Sequence, residues 1–279
     1  MAIGIHTNLY KDNDLTVTTA VIGLLRSAKI DFLISEELKQ YFPEYSSYPT
    51  KKFDGLDMLI TVGGDGTILV IAEECMKSGV PILGVNKGTL GFMAEIELSD
   101  LDAIVGIIKN GDYKIDKRAL LCVEYDGNKY FGLNEAIVYR SDTKMITVDV
   151  KIEDQLVDKY SCDGFIVCTP TGSTAYSLSA GGPIMSPSAC AMCLTPINSH
   201  SLHTRPIVIG GNEKVEISVC RAYEDATLIV DGFEKTKLDM NKPIYFHKPD
   251  KTLNFIRLQN SNFYSKLLSK LNIWGLTEN

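Results

Sequence analysis

Short apolar runs alternate with amphipathic stretches through the first half of the chain. Ala2 to His6, Asp31 to Ser35, Met58 to Val62 and Pro81 to Asn86 read as strands. Between them the periodicity changes to that of helices. A helix is expected over Thr18 to Lys29, with Ala20, Val21, Leu24 and Leu25 on one face. Another is expected over Ile68 to Gly79, closed by its glycine, and a third over Leu98 to Gly111 with Ser99 or Asp100 as its N-cap. Continuously apolar strands separated by helices imply a parallel sheet covered on both faces.

Past about Asp116 the runs become short and alternating, separated by turns such as Tyr125 to Asn128, as in an all-β domain. Helical spacing returns at Asn262 to Trp274, where Phe263, Leu267, Leu268 and Leu271 share a face. The expected fold is therefore an α/β N-terminal domain plus an all-β C-terminal domain, with a C-terminal helix packing back on the first domain. The expected boundaries are 1–115 for the α/β domain, joined by 260–279, and 116–259 for the β-rich domain.

Composition narrows the functional classes. Hydrophobic residues make up 45% and charged residues 23% of 279, which excludes disordered and fibrous chains. The net charge of −7 argues against a duplex nucleic-acid partner, which would select a basic face. No run of about eighteen apolar residues is present, so no membrane-spanning helix is expected. The first residues lack a basic region followed by a long apolar one, and the seven cysteines are an odd number. A cytoplasmic protein with reduced thiols is expected.

Candidate chemistry concentrates in two segments. The first is Gly63-Gly64-Asp65-Gly66-Thr67, between a strand and a helix. Glycine amides there can approach phosphate oxygens, and the helix N-terminus favours negative charge. An aspartate repels phosphates, so Asp65 makes better sense as a base or a metal ligand, with a simple helix N-cap as the alternative. The second is Thr169 to Pro183, dense in hydroxyls and glycine around Tyr176. Its hydroxyls and free amides can line a ribose or phosphate pocket, and the tyrosine face can cover a base. A surface linker is the alternative. Asn134 and Glu135 sit inside an apolar run, where a buried polar pair needs partners, and Asp163-Gly164 precedes an apolar strand. Cys190, Cys193, His200 and His203 imitate a zinc set, but the histidine spacing is too short; the two cysteines fit a small-residue helix on a core.

With these segments in this order, together with Leu194 to Ile209 and Val230-Asp231-Gly232, the chain resembles the bacterial NAD kinase (ATP-NAD kinase) family over nearly its whole length. The resemblance implies transfer of phosphate from ATP to the 2′-hydroxyl of the adenosine ribose of NAD, giving NADP. It also implies Mg²⁺, a site in the crevice between the two domains, and a homodimer or homotetramer. Asp65 matches the catalytic aspartate, and Gly63, Gly64, Gly66 and Thr67 match the ATP phosphate-binding turn. The NAD-binding positions implied are Asp65, Gly66, Phe92, Asn134, Glu135, Lys144, Asp163, Thr174, Ala175, Tyr176, Ser177, Leu178 and Ser179. Phe233 stands where many members have glutamine, and Ser186 where a histidine is common. A lipid kinase sharing the glycine-rich turn, and a dinucleotide sensor without turnover, are the rival readings.

Overall fold

The computed structural model describes residues 1–49, 52–88, 91–201, 203–223 and 225–276. In chain order its strands begin with β1 (Ile3–Thr7), β2 (Leu33–Ser35), β3 (Ser47–Tyr48), β4 (Met58–Gly63), β5 (Ile82–Asn86) and β6 (Tyr113–Ala119). There follow β7 (Leu121–Tyr125), β8 (Asn128–Gly132), β9 (Glu135–Arg140), β10 (Ile146–Ile152), β11 (Gln155–Cys162) and β12 (Gly164–Cys168). The last are β13 (Ala191–Ile197), β14 (Ile207–Gly210), β15 (Val215–Arg221), β16 (Ala226–Val230), β17 (Phe233–Leu238), β18 (Pro243–His247) and β19 (Thr252–Leu258). The helices are α1 (Thr16–Ser27), α2 (Asp65–Ser78), α3 (Ala103–Asn110), α4 (Tyr176–Ser179) and α5 (Phe263–Leu276). None is long and apolar enough to cross a membrane.

The chain divides into two compact units, 1–117 with 253–279, and 118–252. The first is built on a seven-stranded sheet in the order β3-β2-β1-β4-β5-β19-β6, whose β3 to β19 pairings are parallel. Its central strands β1, β4 and β5 are buried at every position, as strands covered on both faces must be. Strand β19, inside the span 116–259 read as the β-rich domain, belongs to this sheet instead. Its apolar residues Leu253 and Phe255 alternate with polar ones before Ile256 and Leu258 fall on the other face, so its local pattern does not distinguish the two sheets.

The helices differ in detail from the expected ones. Val17, Val21, Ile22 and Leu25 face the core from α1, in place of the Ala20 and Leu24 stripe. The start of α1 is satisfied from outside the helix by Asp12, whose carboxylate accepts the Val17 and Thr18 N–H groups. The expected helix at 98–111 is a 3₁₀ turn, Leu98–Asp100, followed by α3, so neither Ser99 nor Asp100 caps it. Helix α2 ends as expected, on Gly79 in a left-handed conformation. It begins three residues earlier than the apolar pattern indicates, taking in Asp65 as its first residue.

The second unit has two six-stranded antiparallel sheets, β11-β10-β15-β18-β7-β8 and β14-β13-β12-β9-β16-β17. Alternate residues from both, among them Leu121, Val123, Val148, Ile217 and Phe246 against Val138, Phe165, Val167, Leu194 and Leu228, form one core. Cys193 lies in β13 and Cys190 just before it, so the small-residue helix expected there is a strand and its lead-in. Strand geometry buries Cys193, while Cys190 is exposed. On the opposite face of the second sheet, Ile137, Ile166, Cys168, Cys193 and Ile197 pack with Met185. That packing makes the hydroxyl-rich segment a folded cover on the sheet rather than a linker.

Candidate active site

In the first unit the glycine-rich turn joins β4 to α2, and Gly64, not Asp65, is the N-cap. The Thr67 hydroxyl turns back to accept the Gly64 N–H at 3.3 Å and the Asn8 side-chain amide at 3.1 Å. Asp65 is thereby free to look outward from its helix. Its Oδ2 accepts the Phe92 N–H at 2.7 Å, and its Oδ1 accepts those of Met93 and Ala94 at 3.1 and 3.2 Å. The turn after β5 is thus clamped onto the first residue of α2. Gly91 makes this approach possible, because a Cβ there would lie 2.0 Å from Asp65 Oδ1. Gly66 is exposed, and a Cβ built on it meets nothing within 4 Å, so the space beside it is open.

The clamped loop is secured from behind. Arg257 donates to the Met93 carbonyl at 2.6 Å and pairs with Glu95 at 3.1 Å and Asp116 at 3.2 Å. Lys266 of α5 donates to the Ala94 carbonyl at 3.1 Å and to Glu95 at 2.7 Å. Burial opposes ionisation of Glu95, but Lys266 and Arg257 outweigh it and hold the carboxyl below its usual range. The Phe92 ring lies 6.1 Å from that of Phe263, and Lys270 stands 4.2 Å over its face. The packed stripe of α5 therefore includes Lys266 and Lys270, whereas Leu268, expected on the inward face, is exposed. The side chain of Leu271 lies outside the described residues. Burial pushes both lysines below their ordinary pKa, and the Asp65 carboxylate opposes that shift.

In the second unit Asn134 and Glu135 lie where β8 gives way to β9, both buried. A second carboxylate clamp shapes this bend. Asp231 accepts the N–H groups of Leu133 at 2.6 Å, Asn134 at 2.8 Å and Glu135 at 3.1 Å. Asp231 and Gly232 both have positive φ, 49° and 81°, as a two-residue hairpin turn between β16 and β17 requires. Among the described residues, Asn134 Oδ1 and Glu135 Oε2 are buried oxygens with no hydrogen-bond partner. Burial, and then the neighbouring Asp231, pushes the Glu135 carboxyl up to about 8, with a backbone hydrogen bond from Tyr176 opposing. Burial thus favours its protonated form.

The hydroxyl-rich segment is fastened to the same bend. Thr169 donates through its hydroxyl to the Leu133 carbonyl at 2.6 Å, and its N–H donates to the Asn134 carbonyl at 2.9 Å. Gly172 sits so close that a Cβ would lie 2.0 Å from the Asn134 oxygen. Within Thr174 to Ser179, Tyr176 and Ser179 are exposed, and Thr174, Ala175 and Leu178 half-buried. Ser177 points inward, sharing a hydrogen with Thr195 Oγ1 at 2.9 Å, so its hydroxyl faces the core and not solvent.

Asp163 and Lys144 share the wall of a cavity of about 660 Å³ that also includes His200, Arg221 and Tyr223. Asp163 is paired with Arg140 at 2.9 Å and accepts from the Asn198 amide at 2.9 Å. Lys144 Nζ lies 3.1 Å from the centre of the Tyr223 ring. Within the first unit the structure brings Asp65 and Phe92 together; within the second, Tyr176 lies in electrostatic reach of both Glu135 and Asp163, and Asp163 also shares the cavity wall with Lys144. Periodicity offered no sign of Lys266 or Lys270. Asp231 had one: an Asp-Gly pair between two alternating runs is a hairpin signal.

Both units of the chain match known proteins. Residues 3–113 match the ATP-NAD kinase N-terminal domain and residues 133–258 the ATP-NAD kinase C-terminal domain. An NAD kinase of Thermoanaerobacter sp. (strain X514) is 34% identical over 277 residues, spanning 96% of this chain and 98% of that protein. An NAD kinase of Heliobacterium modesticaldum is 40% identical over 222 residues, covering 77% of this chain and 78% of that protein. Among solved structures, yeast NADH kinase complexed with NADH superposes with a TM-score of 0.87 at 22% identity, covering 98% of this chain and 87% of that one. An NAD kinase from Archaeoglobus fulgidus in complex with ATP gives 0.78 at 23% identity, covering 98% and 99%. Matched through both of its domains and over nearly the full length of its relatives, the chain belongs to the NAD kinase family.

Proposed function

We propose that the chain phosphorylates the 2′-hydroxyl of the adenosine ribose of NAD with ATP, giving NADP. Family membership supplies the reaction. The observation that carries the acceptor assignment is the pair of buried, unpartnered oxygens on Asn134 and Glu135. Leaving such buried polar oxygens unsatisfied costs about 1–3 kcal/mol each, and a ligand whose hydroxyls can both donate and accept removes that cost on binding. A ribose is such a ligand. The exposed Tyr176 ring beside them offers a face for a base.

Asp65 is proposed as the general base. Phosphoryl transfer has a loose transition state, so positioning and charge neutralisation carry most of the rate. The three backbone N–H bonds fix the carboxylate rigidly, and Oδ2, which accepts only one of them, keeps a lone pair for the proton of an attacking hydroxyl. Those same bonds leave no all-protein cage for Mg²⁺. The ion fits as part of the ATP substrate, held chiefly by phosphates and offsetting their charge. The exposed amide side of Gly66 and the N-terminus of α2 suit the phosphates themselves.

A homodimer or homotetramer is part of the same reading, supported by exposed apolar residues on the edge strands, Leu156 and Val157 of β11 and Val208 of β14. A cytoplasmic setting accords with seven free cysteines. The deciding experiment is a steady-state assay of NADP formation from ATP, Mg²⁺ and NAD. Saturable turnover is expected. Tight NAD binding without turnover would make the protein a dinucleotide sensor, and turnover on a diacylglycerol in place of NAD would make it a lipid kinase.

A further inference from the structure

Strands β7 and β18 are antiparallel neighbours in which Cys122 lies directly opposite His247. Leu121, Val123 and Tyr125 of β7 point into the core, so the alternation of a strand puts Cys122 and Glu124 on the other face. There Cys122, Glu124 and His247 each bring one ligand atom within 4.8 Å of the other two. Sulfur, imidazole nitrogen and carboxylate oxygen are the three donor types that zinc accepts.

The hydrogen bonding of His247 is more specific still. Its Nδ1 lies 3.3 Å from the Lys248 carbonyl oxygen, which can hold the ring in the tautomer that carries its hydrogen on Nδ1. In the neutral ring, Nε2 then presents its lone pair to Glu124 Oε1, 3.2 Å away. In that tautomer two acceptors face each other, and a positive charge between them relieves the repulsion. A proton can supply it, and so can a metal ion. An imidazole fixed through Nδ1 to a carbonyl, with Nε2 free to ligate, is also the usual outer-shell arrangement of a zinc histidine.

We propose that Cys122, Glu124 and His247 form a three-residue zinc site. Glu124 and His247 both line a cavity of about 530 Å³, which gives the ion a path in and leaves a fourth coordination position for water or a small anion. Glu153, Asp154 and Glu216 line the same cavity with Lys214, and Glu216 pairs with Lys151, so a carboxylate surplus remains to favour a cation. None of the three ligands belongs to the Asp65 turn or to the Asn134 bend. Lys129 pairs with Glu124 Oε1 at 2.7 Å and competes with the metal for that oxygen. Its side chain is 61% exposed and can swing away.

The test uses the full chain, reduced and stripped with a chelator, and titrated with Zn²⁺ by calorimetry and with Co²⁺ by absorption. One equivalent per chain is expected, with a thiolate-to-cobalt charge-transfer band. His247→Gln, a change at a partly exposed position, is expected to weaken binding by more than the roughly 10–100-fold typical of losing an outer-shell partner. Cys122→Ser should abolish the charge-transfer band. Lys129→Ala, which removes the competing cation without touching a ligand, should tighten binding. Cys190→Ser, altering the exposed cysteine, should leave it unchanged. Absence of saturable binding to the reduced wild-type chain overturns the proposal and leaves a Glu124–His247–Lys129 ion cluster. So does binding that survives His247→Gln undiminished, or that disappears with Cys190→Ser.

Discussion

Asp65 and Asp231 do the same thing to the backbone in two different units, each gathering three consecutive N–H groups onto one carboxylate. Their surroundings differ. Asp65 is half-buried beside the exposed Gly66, on a turn whose outer side is open. Asp231 is 8% exposed, and burial pushes its carboxyl above the ordinary range against the pull of those same three N–H groups. The motif alone does not mark a reacting group. Access does: the reachable carboxylate can take part in chemistry, while the enclosed one positions Asn134 and Glu135.

The comparison breaks most sharply at Asp65. Asp65→Asn retains the shape of the side chain and loses its basicity, so turnover should fall by about 10²–10⁴ while NAD still binds. Single-turnover kinetics alongside NAD titration would check this. Turnover close to wild type would reduce Asp65 to a fastener of the 92–94 loop, and the two aspartates would then be equivalent.

Asp231→Asn should act on stability instead. The new amide cannot accept all three N–H groups, and each buried donor left unpaired costs about 1–3 kcal/mol. A clear drop in the urea midpoint is expected, together with a raised KM for NAD and a smaller change in kcat. An unchanged midpoint would mean the bend holds its shape without the clamp.

Glu135 sharpens the contrast through pH. Its carboxyl titrates near 8 in the folded chain and near 4.5 when unfolded. Between those values the folded state keeps a proton that the unfolded state has released. Stability from this group is therefore complete below about pH 4.5 and is lost as pH rises toward 8, by at most about 1.4 kcal/mol per pH unit. Glu135→Gln, which mimics the protonated form, should flatten that part of the stability profile. Parallel profiles for the two proteins would show that Glu135 is ionised in the fold.

The smallest effect is expected at Tyr176. An aromatic face contributes about 0.5–1.5 kcal/mol beyond burial, so Tyr176→Ala should weaken NAD by roughly threefold to tenfold. The apparent affinity for ATP should hold, because the phosphates are assigned to the Asp65 turn. Loss of ATP affinity with NAD affinity intact would reverse the assignment of the two substrates.

What the sequence determined by itself was whatever local periodicity and local chemistry encode. Continuous apolar runs such as Met58 to Val62 announced buried parallel strands, and alternation past Asp116 announced antiparallel ones. Gly79 ended its helix where a left-handed residue was needed. The glycine-rich turn, the Asn134–Glu135 pair and the hydroxyl-rich segment stood out because polar or flexible residues between apolar runs need a reason. Tertiary structure decided the rest, because the deciding contacts join residues far apart in the chain. Strand β19 entered the first sheet although its pattern suits either one. Lys266 and Lys270 took the inward stripe of α5 because Glu95 and the Phe92 ring offer partners that Leu268 cannot use. Ser177 turned away from solvent because Thr195 meets its hydroxyl across the sheet cover. The two aspartate clamps reach 27 to 29 and 96 to 98 residues along the chain. A carboxylate's partners at that range depend on how strands and loops converge in space, and no window of neighbouring residues carries that information.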